Sequence, residues 1–197
     1  PESTADVLLS RDRLLLKDLP MGTLIGTGSL RRQMFLYASR PDLVFVPIRG
    51  NVETRLRKLH EGDVDALLLS QAGLIRLGLT DHVSEVLNAE TFLPAPGQGV
   101  VAVQARCDSS EWIREIVNRS TDEAQSYISR AEYRFMQMIG FNCRIPLGLK
   151  TWISRNRLFM KAARAESVGS PIQYTQDNDK ITNGLQLAQK LARQVMT

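Results

Sequence analysis

Short apolar runs alternate with stretches of helical period through the first half of the chain. Residues 23–27 predict a strand, and 29–39 a helix that Pro41 ends. Residues 43–48 predict the next strand, with Pro47 marking an edge or a bulge. Asn51 caps a helix that reaches His60, and Gly62 lies just beyond its end. Ala66-Leu67-Leu68-Leu69 is a continuous apolar strand, as expected where helices cover both faces. Helices over 71–77 and 81–87 complete the layer. This βαβαβα alternation predicts a parallel, doubly wound sheet.

Leu93-Pro94-Ala95-Pro96-Gly97-Gln98-Gly99 breaks the rhythm and reads as a crossover between domains. A strand over 100–105 follows. Asp108 with Glu111, and Ser120 with Glu123, have the spacing of capping boxes opening helices at 109–118 and 121–139. Beyond Cys143 the pattern becomes strand-like at 147–154, 158–166 and 172–175. Arg155-Asn156 and Gly169-Ser170-Pro171 supply the turns, and a helix over about 180–196 closes the chain. The division is therefore 1–93 as an α/β domain, 94–120 as crossover and returning segment, and 121–197 as a small α+β domain.

Composition narrows the class. The 197 residues are 43% hydrophobic and 23% charged, the proportions of an ordinary globular protein. No apolar stretch approaches the ~18 residues of a membrane span. No signal peptide is visible, and the start at Pro1 without an initiating methionine suggests a fragment or processed chain. Two cysteines make no disulfide framework, and His60 and His82 stand apart from both, so no metal site is expected and the cytoplasm is the default compartment.

Charge is concentrated. Residues 24–78 hold eight Lys/Arg against five Asp/Glu, three of the net +4. Arg31 and Arg32 begin a helix, Arg49 ends a strand, Arg55 stands about one turn into the next helix, and Arg76 lies in the third. Cations at helix N-termini oppose the macrodipole, which a bound anion would relieve. Guanidinium forks at the C-terminal rim of parallel strands suit a ligand carrying several carboxylates. Nucleic acid fits this segment less well: it lacks a Lys/Arg run, and Phe35, Tyr37 and Phe45 sit in apolar surroundings. Gly26-Thr27-Gly28-Ser29 lacks the third glycine of a dinucleotide fingerprint and the lysine of a phosphate loop. Cys143 follows a helix, has polar neighbours Asn142 and Arg144, and precedes Pro146, which favours an accessible loop thiol; Cys107, ending an apolar run, reads as a small hydrophobe. Glu132 and Glu53 read as helix-surface residues, and no general acid or base stands out.

These motifs together resemble the porphobilinogen deaminase family. The resemblance is carried by Ile25-Gly26-Thr27-Gly28-Ser29-Leu30-Arg31-Arg32-Gln33, Arg49-Gly50-Asn51-Val52, Thr54-Arg55-Leu56, and Ala72-Gly73-Leu74-Ile75-Arg76-Leu77-Gly78. The 93–99 crossover and Cys143-Arg144-Ile145-Pro146-Leu147-Gly148 complete it. It implies a transferase of tetrapyrrole and haem biosynthesis that condenses four porphobilinogen molecules, losing ammonia each time, into hydroxymethylbilane. It implies a covalent dipyrromethane cofactor held as a thioether by Cys143, with Ser29, Arg31, Arg32 and Arg55 around it. Thr27, Arg49, Gly50, Asn51 and Arg76 would meet substrate. A periplasmic-binding-protein-like α/β domain is implied for the first part, and a cofactor-attachment domain for the last. The resemblance also implies a monomer when complete, with the bulk of a first domain, including the catalytic aspartate, absent from this chain; alone it is expected to be inactive. Two alternatives remain at this point: a non-enzymatic carboxylate-binding module, and a basic RNA-binding domain.

Overall fold

A computed structural model describes residues 3–140 and 145–196 of the chain. Its first sheet has five strands in the order β3-β2-β4-β1-β5. They are β1 (Asp6–Ser10), β2 (Leu24–Gly26), β3 (Val44–Val46), β4 (Ala66–Ser70) and β5 (Glu85–Val86). The β2–β3 and β2–β4 pairs are parallel, whereas β1 runs antiparallel to both β4 and β5. The sheet is mixed, which corrects the expectation of a wholly parallel one. The missed element is β1. All five of its residues are buried, so it shows no alternation, and Asp6 interrupts its apolar run.

Helices α1 (Leu30–Ser39), α2 (Val52–Glu61) and α3 (Gln71–Leu77) return the chain between strands. Ser29 caps α1 by accepting from Arg32 N–H, and Asn51 caps α2 by accepting from Thr54 N–H. Gly62 and Gly78 close α2 and α3 in the left-handed conformation. The helix expected over 81–87 is instead a 3-10 turn, Thr80–His82, followed by β5. Pairing with the open edge of β1 decides this. Ser84 N–H donates to Leu8 O at 2.9 Å, and Ser84 Oγ accepts from Ser10 N–H at 2.9 Å.

Residues 100–105 form no strand, and Val101 and Val103 are 67% and 63% exposed. An apolar run becomes a strand only when another strand is there to pair with it. Cys107 is exposed, contrary to its reading as a buried hydrophobe. The helices α4 (Glu111–Arg119) and α5 (Glu123–Ile139) start near their expected places, but Ser110 and Asp122 are the caps. Asp108 is drawn instead to Arg106, and Ser120 ends α4.

The second unit is an antiparallel sheet of β6 (Leu147–Ser154), β7 (Arg157–Arg164) and β8 (Gln173–Lys180), with α5 and α6 (Gly184–Met196) on one face. Arg155 and Asn156 both have positive φ, 47° and 59°, the pattern of a two-residue type I′ hairpin. β8 extends to Lys180, beyond the expected 175, because its polar half Gln176–Lys180 pairs with β7 along its length. The final helix accordingly begins at Gly184 rather than about 180.

The two units share a core. Ala163 and Ala165 pack with Phe35, Phe92 and Leu93, and Leu149 N–H donates to Pro94 O at 2.8 Å. A Cβ on Gly148 would stand 2.8 Å from Leu93 Cβ and 2.9 Å from Phe35 Cε2. Backbone approaches side chain there as closely as only glycine permits. Gly148→Val should therefore lower stability by about 2 kcal/mol through overpacking. Gly28→Ser, at a glycine with open space around it, should stay within about 0.5 kcal/mol. Urea unfolding of both variants checks the contrast, and equal midpoints would show that the join is plastic.

Candidate functional site

Because β2, β3 and β4 are parallel, their C-terminal ends share one rim, and antiparallel β1 brings its N-terminal residue to the same rim. That residue is Asp6, wholly buried. Arg31 Nη1 donates to its Oδ2 at 2.5 Å, while Arg32 donates to Oδ1 from Nε at 3.0 Å and from Nη2 at 2.8 Å. Gln98 Nε2 adds a bond to Oδ1 at 3.2 Å. Arg31 also donates to Leu93 O at 2.7 Å, and Arg32 to Leu68 O at 2.8 Å.

One carboxylate thus faces two guanidiniums, and Arg55 is near enough to act on Arg32. The Arg32 pKa is lowered, first by burial and then by the neighbouring Arg31 and Arg55 charges, against the pull of Asp6. Among the described residues, the cluster sets three guanidiniums, Arg31, Arg32 and Arg55, about the one carboxylate of Asp6. An anion with several carboxylates would balance them. Asp6 was not foreseen; its only sequence signal is a lone acid opening an apolar pentapeptide.

The remaining candidates are placed differently. Thr27 is buried, and its hydroxyl accepts from Ser29 N–H at 3.2 Å, so it shapes the turn that positions Arg31. Gly50 has φ +115°, and a Cβ there would meet Thr54 Cγ2 at 2.7 Å. Asn51 Oδ1 is occupied by Thr54 N–H, and Arg55 Nε holds Gly50 O at 2.9 Å. Arg49 is exposed beside them. Arg76, in the last turn of α3, reaches away to Gly99 O at 2.7 Å and borders a separate groove. Arg31, Arg32 and Arg55 therefore form one electrostatic group, with Arg49 on the adjoining loop.

Cys143 lies outside the described residues, as do Phe141, Asn142 and Arg144. The elements on either side of it are described. Met136 of α5, Ile145 and Leu147 line a cavity of about 470 Å³ together with Ser29 and Arg31. That volume falls within the range of small-molecule sites. Among the described residues no three His, Cys, Asp or Glu gather as a metal site, although His60 and His82 come within 5.6 Å, ring centre to ring centre.

Glu132 also lines this cavity, and its expected place on the helix surface is corrected: it is buried, 8% exposed. It accepts from Gly97 N–H at 2.7 Å, linking α5 to the crossover. Burial pushes its pKa up to about 7, against that hydrogen bond. The helical pattern misled because Glu132 faces the crossover, which periodicity within one helix does not reveal.

The chain matches the family model described as "Porphobilinogen deaminase, dipyromethane cofactor binding domain" over residues 1–114. It belongs to the porphobilinogen deaminase family. It is 39% identical over 192 residues to the porphobilinogen deaminase of Roseiflexus sp. (strain RS-1), covering 96% of this chain and 63% of that one. Against that of Desulforudis audaxviator (strain MP104C) it is 40% identical over 178 residues, 90% of this chain and 57% of the other. Against that of Fusobacterium nucleatum subsp. nucleatum it is 37% identical over 194 residues, 98% and 64%. The chain thus spans about three-fifths of the length of these relatives. The family model covers the arginine cluster and the crossover and stops before Cys143.

Two measurements test this electrostatic design. Asp6→Asn leaves Arg31 and Arg32 without a counter-charge and should cost about 3 kcal/mol by denaturant unfolding; an unchanged midpoint would mean that the ion pairs contribute nothing. Glu132 has a folded pKa raised above its unfolded one. Its contribution to stability is complete below about 4.5 and lost as pH rises through about 7, by about 3 kcal/mol. Glu132→Gln should remove this dependence, gaining on the wild type as pH rises from 4.5 to 8. Parallel stability–pH curves would contradict the assignment.

Proposed function

We propose that the chain is part of a hydroxymethylbilane synthase, condensing four porphobilinogen molecules with loss of ammonia. The observation that carries this reading is the guanidinium group around Asp6, at the edge of a cavity that Met136, Ile145 and Leu147, on either side of Cys143 in the sequence, also line. Each pyrrole unit brings an acetate and a propionate. Planar forks at Arg55 and Arg49 bind carboxylates in two-point fashion, which an ammonium cannot do. Arg31 and Arg32 are held by Asp6, Leu93 O and Leu68 O, so they offer a fixed positive field with little reorganisation on binding.

The guanidiniums and the cavity fit a dipyrromethane, which Cys143 would hold as a thioether. When attached, that group supplies the pyrrole carbon to which the next unit is joined. Ser29, Arg31, Arg32 and Arg55 would bind its carboxylates, and Thr27, Arg49, Gly50, Asn51 and Arg76 would shape or line the place of incoming substrate. The first unit is read as the periplasmic-binding-protein-like domain of the family, residues 1–93. Residues 94–120 would return toward a domain lying in the two-fifths of the relatives that this chain does not span. Val101, Val103, Trp112 and Ile116 support that reading, since each of these large apolar side chains is more than half exposed. The catalytic aspartate is assigned to the same absent part, so the chain alone does not turn over porphobilinogen. The working protein is read as a cytoplasmic monomer acting on a small molecule. Neither a bare carboxylate-binding module nor an RNA-binding domain accounts for the Cys143 motif in this reading.

Intact mass spectrometry of the full-length protein tests the attachment. Cys143→Ser should abolish an adduct of dipyrromethane mass that Cys107→Ser retains, and an adduct surviving Cys143→Ser would overturn the assignment. In the same protein Arg55→Lys should lower turnover at least tenfold, while Arg57→Lys, whose partner is Glu61 on the helix surface, should leave it unchanged.

A further inference from the structure

The C-terminal sheet packs one face on α5 and α6 and turns the other away from them. Strand register arranges that outward face in rows. Lys150 stands opposite Lys161, Trp152 opposite Phe159, and Arg157 opposite Lys180. An aromatic pair therefore lies between two basic pairs. Like charges set directly opposite each other cost a sheet stability, and here the cost recurs on both sides of one aromatic pair. The two rings are stacked, 5.3 Å between centres and 12° from parallel. Lys150 Nζ lies 5.5 Å from the Trp152 ring centre, and Lys161 Nζ lies 5.8 Å from that of Tyr174, which is 53% exposed.

Nearby acids neutralise the face only in part, with Glu90 paired to Lys150 and Asp177 close enough to act on Arg157. Glu90 meets Lys150 with its carboxylate but Lys161 only with its carbonyl. Asp177 and Asp179 of β8 alternate to the other face, where Asp177 pairs with Lys190 of α6 at 2.6 Å. Among the described residues, the row of Arg157 and Lys180 meets Asn178 but makes no carboxylate ion pair, and both residues are exposed. At about 3.3 Å of rise per residue, the two basic rows are about 13 Å apart along the strands. Charge repelled across strands and aromatic surface between the rows are the two parts of a platform that holds a polyanion bearing flat rings.

We propose that this face binds single-stranded nucleic acid, with phosphates on the two basic rows and a base against the Trp152–Phe159 pair. A duplex keeps its bases inside and offers this face only its phosphates, so a single strand is preferred. The proposal uses neither the arginine cluster nor the Glu132 cavity, although the first unit packs on the Gly148 end of the same face through Phe35 and Leu93.

The test uses a fluorescein-labelled oligouridine and the same strand annealed to its complement, titrated with the whole chain in a Trp112→Phe background. Anisotropy reports binding, and Trp152 emission reports contact. The single strand should bind with quenching of Trp152 and at least tenfold more tightly than the duplex, with affinity falling as salt rises. Arg157→Glu and Lys180→Glu, both at exposed positions, should each weaken binding at least tenfold. Phe159→Leu should weaken it with the salt slope unchanged. Equal binding of single strand and duplex, or an unquenched Trp152, would overturn the proposal. So would competition by polyglutamate or by phosphatidylserine vesicles as effective as that by unlabelled strand, since charge alone would then explain the face. Binding unaffected by both glutamate variants but lost in Arg49→Glu would place it on the arginine rim instead.

Discussion

A buried carboxylate cannot stay ionised in an apolar sheet unless cations are brought to it, and in this chain that requirement falls on Asp6. It opens β1 at the rim where the parallel strands end. Arg31 and Arg32 come to it from the first turn of α1, and Gln98 from the crossover. Arg31 extends the network to Leu93 O, where the crossover begins. Strand, helix and interdomain segment are thus fixed to one another by one charge. The same constraint creates the site, because satisfying one carboxylate with two guanidiniums leaves positive charge over. Removing either partner of such a buried pair is far more damaging than never having had it.

The crossover is held from two directions. Gln98 and Leu93 face the arginine cluster, while Gly97 N–H is held by Glu132 of α5. Leu93 and Phe35 close on Gly148 of β6 so tightly that no side chain fits. These contacts set Met136, Ile145 and Leu147 around one cavity with Ser29 and Arg31. Charge that attracts a carboxylated ligand and the segment that would carry a covalent group are thereby set on one cavity, although the chain separates them widely. Val101, Val103, Trp112 and Ile116 remain exposed on the segment that follows the crossover.

Much of this was legible in the residues. The helix beginning after Ser29, the cap at Asn51, the glycine stop at Gly62 and the Arg155-Asn156 turn all depend on neighbours within a few positions, and each took the expected form. The α3 helix over 71–77 did so as well. The errors have a common cause. Residues 81–87 have helical spacing, but the free edge of β1 captured them as a strand. Residues 100–105 have strand composition, but nothing pairs with them. Glu132 sits on a helix whose own pattern says surface, yet the crossover buries it.

The sequence by itself determined the local conformations, the family and the residue types available for chemistry, because caps, turns and motif spacing are short-range properties. Tertiary structure alone decided which charges meet. Asp6 pairs with arginines some 25 positions away, and with Gln98 more than 90 positions on. Arg76 meets the carbonyl of Gly99, 23 positions on. It also decided that lysines, arginine and aromatics of three strands share one outward face. Strand register and burial set these meetings, and both depend on the whole core being packed, which no window of residues contains.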